Sequence, residues 1–361
     1  MSLAPTDPTE KLPGAFAHSA AYPLFQLDLA AGSAQVLHFE PGDYRRAAFL
    51  DQRALGHRRI GGWTVGVAEV EARVAAAAAP ALPVHWLFHI GHCGSSLVSR
   101  LLDALPGVLG LREPLPLLEL TGLALEAGHP LGRLSHERHA EGVRLAARLL
   151  ARGFDDTRAV VVKPTSIAWA LAPQWLAAAP GARAILLWID LESWLAAMLS
   201  DAQLRADSRR QAAHRLAGWH ALAGDGSLRL WRLDDAELLA MCWLTEQLRY
   251  REWARDPALA ARLRALDFDD VLADPATALD DLARHFSLAA SREAIAAAIE
   301  SGQMGRYAKD TTRPYDARTR RGHLDAARAA YAAEIERGRA WARAQLDRIG
   351  GGPLPARLDR R

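Results

Sequence analysis

Lysine is almost missing from this chain. Of its 44 basic residues only Lys11, Lys163 and Lys309 are lysine, and the other 41 are arginine. A GC-rich coding bias accounts for the rarity but not for the positions. Cysteine is just as scarce, and Cys93 and Cys242 alone cannot build a disulfide framework. Net charge is also small: 42 acidic residues leave a formal charge of +2, which excludes a broadly basic nucleic-acid-binding surface. No stretch stays apolar for the roughly 20 residues a membrane span needs. The most apolar one, residues 182–199, is broken by Arg183, Asp190 and Glu192. Residues 1–20 carry no apolar core behind a basic start, as a secretory signal would. The expectation is a cytoplasmic protein with no membrane span and no nucleic-acid partner. What is present is a globular mixture: 361 residues, half hydrophobic and 24% charged, enough for one large domain or two ordinary ones, with no internal repeat.

Residues 1–80 are mixed in character and are expected to form an N-terminal cap of unassigned purpose. In them, residues 22–29 and 33–39 alternate apolar and polar side chains around Ala30-Ala-Gly32, the pattern of a hairpin. The alanine- and proline-rich stretch 74–83 predicts a frayed helix end and a stiff linker, with a boundary there. Beyond it, Val84-His-Trp-Leu-Phe-His-Ile90 reads as a buried strand. Gly91-His-Cys-Gly-Ser-Ser96 follows as a loop. Leu97, Leu101 and Leu105 then recur at helical spacing until Pro106-Gly107. Further apolar runs at 159–163, 184–189 and 263–268 alternate with helical segments, which predicts an α/β domain over 81–348 with a mainly parallel sheet. Asp274-Pro275 opens another helix. Residues 322–347 read as one long arginine-rich helix, and 349–361 as a flexible tail.

The glycine-containing loop carries the chemistry. Entering a helix, it presents free backbone N–H groups and the positive helix end to an anion, while Gly91 and Gly94 allow close approach and Ser95 and Ser96 add hydroxyls. It lacks the Gly-Lys-Ser/Thr ending of nucleoside-triphosphate loops. Taken together, Phe88-His-Ile-Gly-His-Cys-Gly-Ser-Ser-Leu-Val-Ser-Arg-Leu-Leu102, Pro106-Gly-Val108 and Arg112-Glu-Pro114 resemble the 5′-phosphosulfate loop and following segment of bacterial sulfotransferases. Val160-Val-Val-Lys-Pro-Thr165, Pro180-Gly-Ala-Arg-Ala-Ile-Leu-Leu187, Asp267-Phe-Asp-Asp-Val-Leu-Ala-Asp-Pro275, His285-Phe-Ser-Leu288 and Gly305-Arg-Tyr-Ala-Lys309 extend the resemblance in order over residues 84–345. It implies a P-loop NTPase-like three-layer sandwich. It also implies transfer of a sulfuryl group from 3′-phosphoadenosine 5′-phosphosulfate to a hydroxyl or amine, without a metal. Two departures stand out. His92 replaces the usual basic residue before Ser-Gly, and Trp188-Ile-Asp-Leu-Glu-Ser193 replaces the Arg-Asp-Pro whose arginine holds the 3′-phosphate. The departures keep open a non-catalytic nucleotide-binding or scaffold protein on the same fold, and a P-loop phosphotransferase.

The candidate catalytic residues are His92 on the leaving side, Glu113 as base and Lys163 at a strand end facing the usual ligand crevice. His92 acts there either protonated or as a neutral donor. The candidate donor-binding set is Gly91, His92, Cys93, Gly94, Ser95, Ser96, Arg100, Ser193, Ser200, Arg306, Tyr307 and Lys309. Each has a plainer alternative: Glu113 salt-bridged to Arg112, Arg100 paired with Asp103, Lys163 snorkelling at a sheet edge. Cys93 sits where a helix end lowers a thiol pKa. His129, His136 and His139 lack zinc spacing and are assigned to a solvated helix start. Trp169, Trp175, Trp219 and Trp243 are assigned to packing. The acceptor, whether small molecule or biopolymer, and the oligomeric state are not readable.

Overall fold

The computed structural model describes residues 11–55, 61–77 and 81–359. Ala78, Ala79 and Pro80 of the expected linker lie outside the described residues. The N-terminal segment contains an antiparallel sheet of β1 (Leu24–Asp28), β2 (Ser33–Leu37) and β3 (Gly62–Gly66). The hairpin pattern predicts the first two strands. The third was not expected, although Trp63 and Val65 alternate between glycines as a short strand does.

The main sheet has five parallel strands: β4 (Val84–His89), β5 (Val108–Arg112), β6 (Ala159–Lys163), β7 (Ala184–Trp188) and β8 (Leu263–Asp267), in the order β5-β6-β4-β7-β8. Every residue of β4, β6 and β7 is buried. A strand covered on both faces reads as a continuous apolar run rather than an alternating one. Right-handed crossovers put the Ser95–Asp103 helix on one face and the connections from β5 to β8 on the other. The Pro275–His285 and Arg292–Glu300 helices return to the first face and pack on the Ser95–Asp103 helix. The result is the expected three-layer α/β arrangement. Connections leave β4 and β7 on opposite faces, so a crevice opens at their carboxyl ends, where open α/β sheets bind ligands.

The N-terminal segment shares the core of the main sheet: Phe16, Leu27, Val36 and Phe39 belong to one apolar cluster with the side chains of β4 to β7. Leu50 N–H donates to the Arg112 carbonyl at 2.6 Å, and Leu115 N–H donates to the Leu50 carbonyl at 3.1 Å. These bonds draw Phe49, Asp51 and Arg53 to the end of β5. Arg112, 1% exposed, fastens the same junction: it donates to the carbonyls of Tyr44 and Ala47 and pairs with Asp103 at 3.0 Å. The plainer alternative for Glu113, a pairing with Arg112, is therefore not made.

One expectation near the C-terminus is corrected. The long helix is two helices, Ala317–Ala330 and Ala332–Arg348, separated at Tyr331. The break lets the first pack on the Leu191–Leu199 helix and the second on the Asp235–Trp253 helix. The segment after residue 349 makes defined contacts through residue 359. Leu191 N–H donates to the Arg357 carbonyl, Ala356 is buried, and Asp359 bridges Arg339 and Arg343. Trp169, Trp175, Trp219 and Trp243 are buried in the core. Among the described residues no helix is long and apolar enough to cross a membrane.

Arg112→Ala removes one partner of a buried ion pair and orphans two carbonyls. It is expected to destabilise the protein by about 3–5 kcal/mol, read as a lowered urea midpoint, with far less effect from Arg158→Ala on the surface of the same region.

Candidate active site

The loop after β4 is held in an unusual backbone shape. Gly91, His92 and Gly94 all have left-handed φ angles of 82°, 52° and 84°. A β-carbon on Gly94 would lie 2.2 Å from the Phe268 ring, so only glycine fits. His92 holds its left-handed angle without that freedom, a strain characteristic of functional sites. The loop is fixed from below. His89 Nδ1 accepts from Gly91 N–H at 3.0 Å and Nε2–H donates to the Pro164 carbonyl at 2.9 Å, while Trp194 Nε1–H donates to the Gly91 carbonyl at 2.8 Å. Burial first, then the charge of Lys163, pushes His89 well below the usual imidazole range and keeps it in that neutral tautomer. Among the described residues, the amides of His92, Gly94 and Ser96 donate to no protein acceptor.

Charged groups converge on this loop. Lys163, 1% exposed, lies 2.5 Å from Glu113 Oε1, and the Glu113 amide donates to the Lys163 carbonyl at 2.6 Å. Glu113 is itself left-handed, with φ 53°. Its Oε2 is 3.6 Å from the Arg53 guanidinium, which also pairs with Asp51 and stacks 3.6 Å over the Phe49 ring. Lys163 and Lys309 approach the same ring at 5.7 and 6.0 Å. Lys309 Nζ is 3.4 Å from His92 Nδ1. Crowding by the loop, with the ammonium groups of Lys309 and Lys163, pushes His92 down to about 3. By its surface His92 is open to solvent, and the ammonium groups of Lys309 and Lys163 act in the same direction as the crowding of the loop. It is neutral near pH 7, and with Nδ1 facing Lys309 its proton sits on Nε2. Burial also draws the Lys309 ammonium below its ordinary value, and Lys163 and Arg53 add to that.

A cavity of about 420 Å³ collects Gly91, His92, Gly94, Ser95, Ser96, Glu113, Lys163, Arg306, Tyr307 and Lys309 on one wall or another. Four members of the expected donor-binding set do not join them. Cys93 points into the core, its thiol donating to the Leu187 carbonyl, and burial raises it to about 11 instead of lowering it. Arg100 is taken up by the carbonyls of Ala308 and Arg45, and Asp103 pairs with Arg112 instead. Ser193 accepts from Arg328, and Ser200 donates to the Ala197 carbonyl. Helical spacing could not place Cys93, Arg100 and Ser193, because their partners lie between 55 and 208 positions away. His139 donates to the Leu120 carbonyl, and among the described residues no His, Cys, Asp and Glu cluster has metal-binding geometry.

No protein-family profile and no curated protein matches the chain. Similar solved structures include bacterial sulfotransferases. A sulfotransferase of Mycobacterium tuberculosis H37Rv has a TM-score of 0.38 at 15% identity, over 71% of this chain and 78% of that one. A sulfotransferase of Mycobacterium avium has 0.39 at 14% identity, over 85% and 86%. One from Alicyclobacillus acidocaldarius has 0.36 at 13% identity, over 76% and 98%. With TM-scores this low, none of these likenesses bears on activity, which has to be read from the side chains of the site.

Several of those side chains were not foreseen. Phe49, Asp51 and Arg53 come from the N-terminal segment, and only its docking on β5 brings them in. Arg320 lies over the Phe268 ring at 5.3 Å and pairs with Asp269 at 2.9 Å. It faces the cavity with Arg306 from β9 (Arg306–Tyr307), which pairs with β10 (Asp310–Pro314). Arg215 and Ser166 complete the opposite wall. Two signals were available: Arg320 falls in an arginine-rich run, and Ser166 directly follows the Lys-Pro-Thr turn.

Buried imidazoles set the expected acid response. His85, lowered to about 4 by burial, and His89 bind protons in the unfolded chain below about pH 6.5 but not in the native one. Stability is therefore complete above the unfolded pKa and is lost as pH falls through 6.5 toward 4. Glu119, raised to about 7 by burial, works the other way with one carboxyl against two imidazoles. Urea midpoints measured from pH 7.5 to 4.5 are expected to fall, and a flat profile would contradict neutral histidines in the native state.

Proposed function

We propose that the protein transfers a sulfuryl group from 3′-phosphoadenosine 5′-phosphosulfate to a hydroxyl or amine of an acceptor. The observation that carries this reading is the 91–96 loop. Its unpaired amides lie at the carboxyl end of the central strand, cations stand on both sides, and the Glu113 carboxylate lines the same cavity. Sulfuryl transfer, like phosphoryl transfer, needs alignment and charge stabilisation more than covalent help. The acceptor oxygen or nitrogen forms a bond to sulfur, the bond from sulfur to the bridging phosphate oxygen breaks, and the acceptor proton passes to Glu113. Lys163 holds that carboxylate at the strand end. Charge growing on the bridging oxygen is met by the loop amides, by Lys309 and by His92 Nε2–H, which serves as a neutral donor. Arg306 and Arg320 supply positive charge in place of the familiar 3′-phosphate arginine missing after β7, and Phe268 and Tyr315 offer apolar ring faces for a base.

Isothermal titration with adenosine 3′,5′-bisphosphate is expected to show one site per chain, and absence of binding by folded protein would overturn the donor assignment. Arg320→Ala is expected to weaken that binding about tenfold or more, the scale of a lost charge-assisted hydrogen bond, whereas Ser193→Ala and Ser200→Ala change it little. His92→Ala is expected to lower turnover more than nucleotide affinity. An unchanged turnover would remove its leaving-side role.

A further inference from the structure

The far wall of the cavity holds a buried charge imbalance that sulfuryl donor binding does not use. Glu246, 2% exposed, lies between Arg215 at 3.4 Å and Arg249 at 3.1 Å, and all three side chains are at most 10% exposed. One carboxylate thus faces two guanidiniums, leaving one positive charge in a place where an uncompensated ion is costly. Arg249 is turned toward the Gly218 backbone, but Arg215 lines the cavity. Arg215 Nη2–H donates to Ser166 Oγ at 3.0 Å, while its Nε is the atom turned to Glu246 Oε1. Ser208, Gln211 and Arg215 recur along one face of the Ala202–Ala223 helix and present a polar stripe to the cavity. Asp207 also lines the cavity, but it is at the exposed rim, where Arg210 and Gln203 engage it. Around the stripe the walls are apolar: Leu115, Leu118, Trp194, Met198 and Leu204.

We infer that this wall is the acceptor's anchor, and that the acceptor is an apolar-bodied molecule carrying a carboxylate, gripped by Arg215 beside Ser166. A single surplus charge suits a monoanion, and the planar guanidinium fork matches a planar carboxylate. The apolar side chains take the body of the molecule and leave its hydroxyl or amine toward Glu113. The word acceptor rests on the sulfuryl-transfer reading; the carboxylate site does not.

The test uses 4-phenylbutyrate and its neutral twin 4-phenylbutyramide, titrated calorimetrically into full-length protein saturated with adenosine 3′,5′-bisphosphate. The acid is expected to bind at least tenfold tighter than the amide, and Arg215→Gln to erase that preference while nucleotide affinity stays unchanged. Equal affinity for acid and amide in the unmodified protein would overturn the site, and this measurement needs no variant to fold. A preference that survives Arg215→Gln would overturn it as well. If the nucleotide fails to bind but the acid preference is present without it, the carboxylate site stands and the sulfuryl-transfer reading falls.

Discussion

A lysine with almost no solvent contact dictates the geometry of this site. Lys163 ends a strand whose other four residues are apolar and buried, so its ammonium needs an anionic partner within reach. Glu113 supplies it from the neighbouring strand end, and the backbone bond from Glu113 to the Lys163 carbonyl locks the two ends in register. To turn its carboxylate inward, Glu113 adopts a left-handed backbone. The chain then passes through Pro114 into the Leu115–Leu123 helix, whose first amide takes hold of Leu50. In this way one buried charge organises two strands, a helix start and the docking of the N-terminal segment.

The second organising feature is an excess of cations in a confined space. Lys163, Lys309 and Arg53 surround one phenyl ring, with Glu113 and Asp51 as the carboxylates between them. Adding a protonated histidine to that group would increase the repulsion, which is why His92 stays neutral. The residue that breaks the usual basic pattern of the loop therefore does so without losing a donor: a neutral imidazole offers one N–H, and Lys309 provides the charge from another part of the chain. The same logic operates on the far wall, where Arg215 and Arg249 share one glutamate.

Much of this was legible from local patterns. The parallel strands read as short bulky runs because burial on both faces removes the alternation of a half-exposed strand. Gly91 and Gly94 marked the loop, and two of the three lysines fell in the segments that form the site. Scarcity alone carried no such meaning; the position of Lys163 at the end of three valines did. Another pattern misled for a physical reason. The arginine-rich periodicity of residues 322–347 continues through Tyr331, but packing against two different helices requires a break there.

The sequence by itself determined the α/β layering, the glycine-containing loop between β4 and its helix, and the candidacy of His92, Glu113, Lys163 and Lys309, because these depend on local periodicity, glycine and strand ends. Only the tertiary structure decided which other side chains share the cavity. It turned Cys93, Arg100, Ser193 and Ser200 to partners elsewhere and brought in Phe49, Arg53, Arg215 and Arg320. The reason is distance along the chain. An arginine's side chain settles on whichever carboxylate or carbonyl the fold brings near, and no local pattern encodes a partner far along the chain.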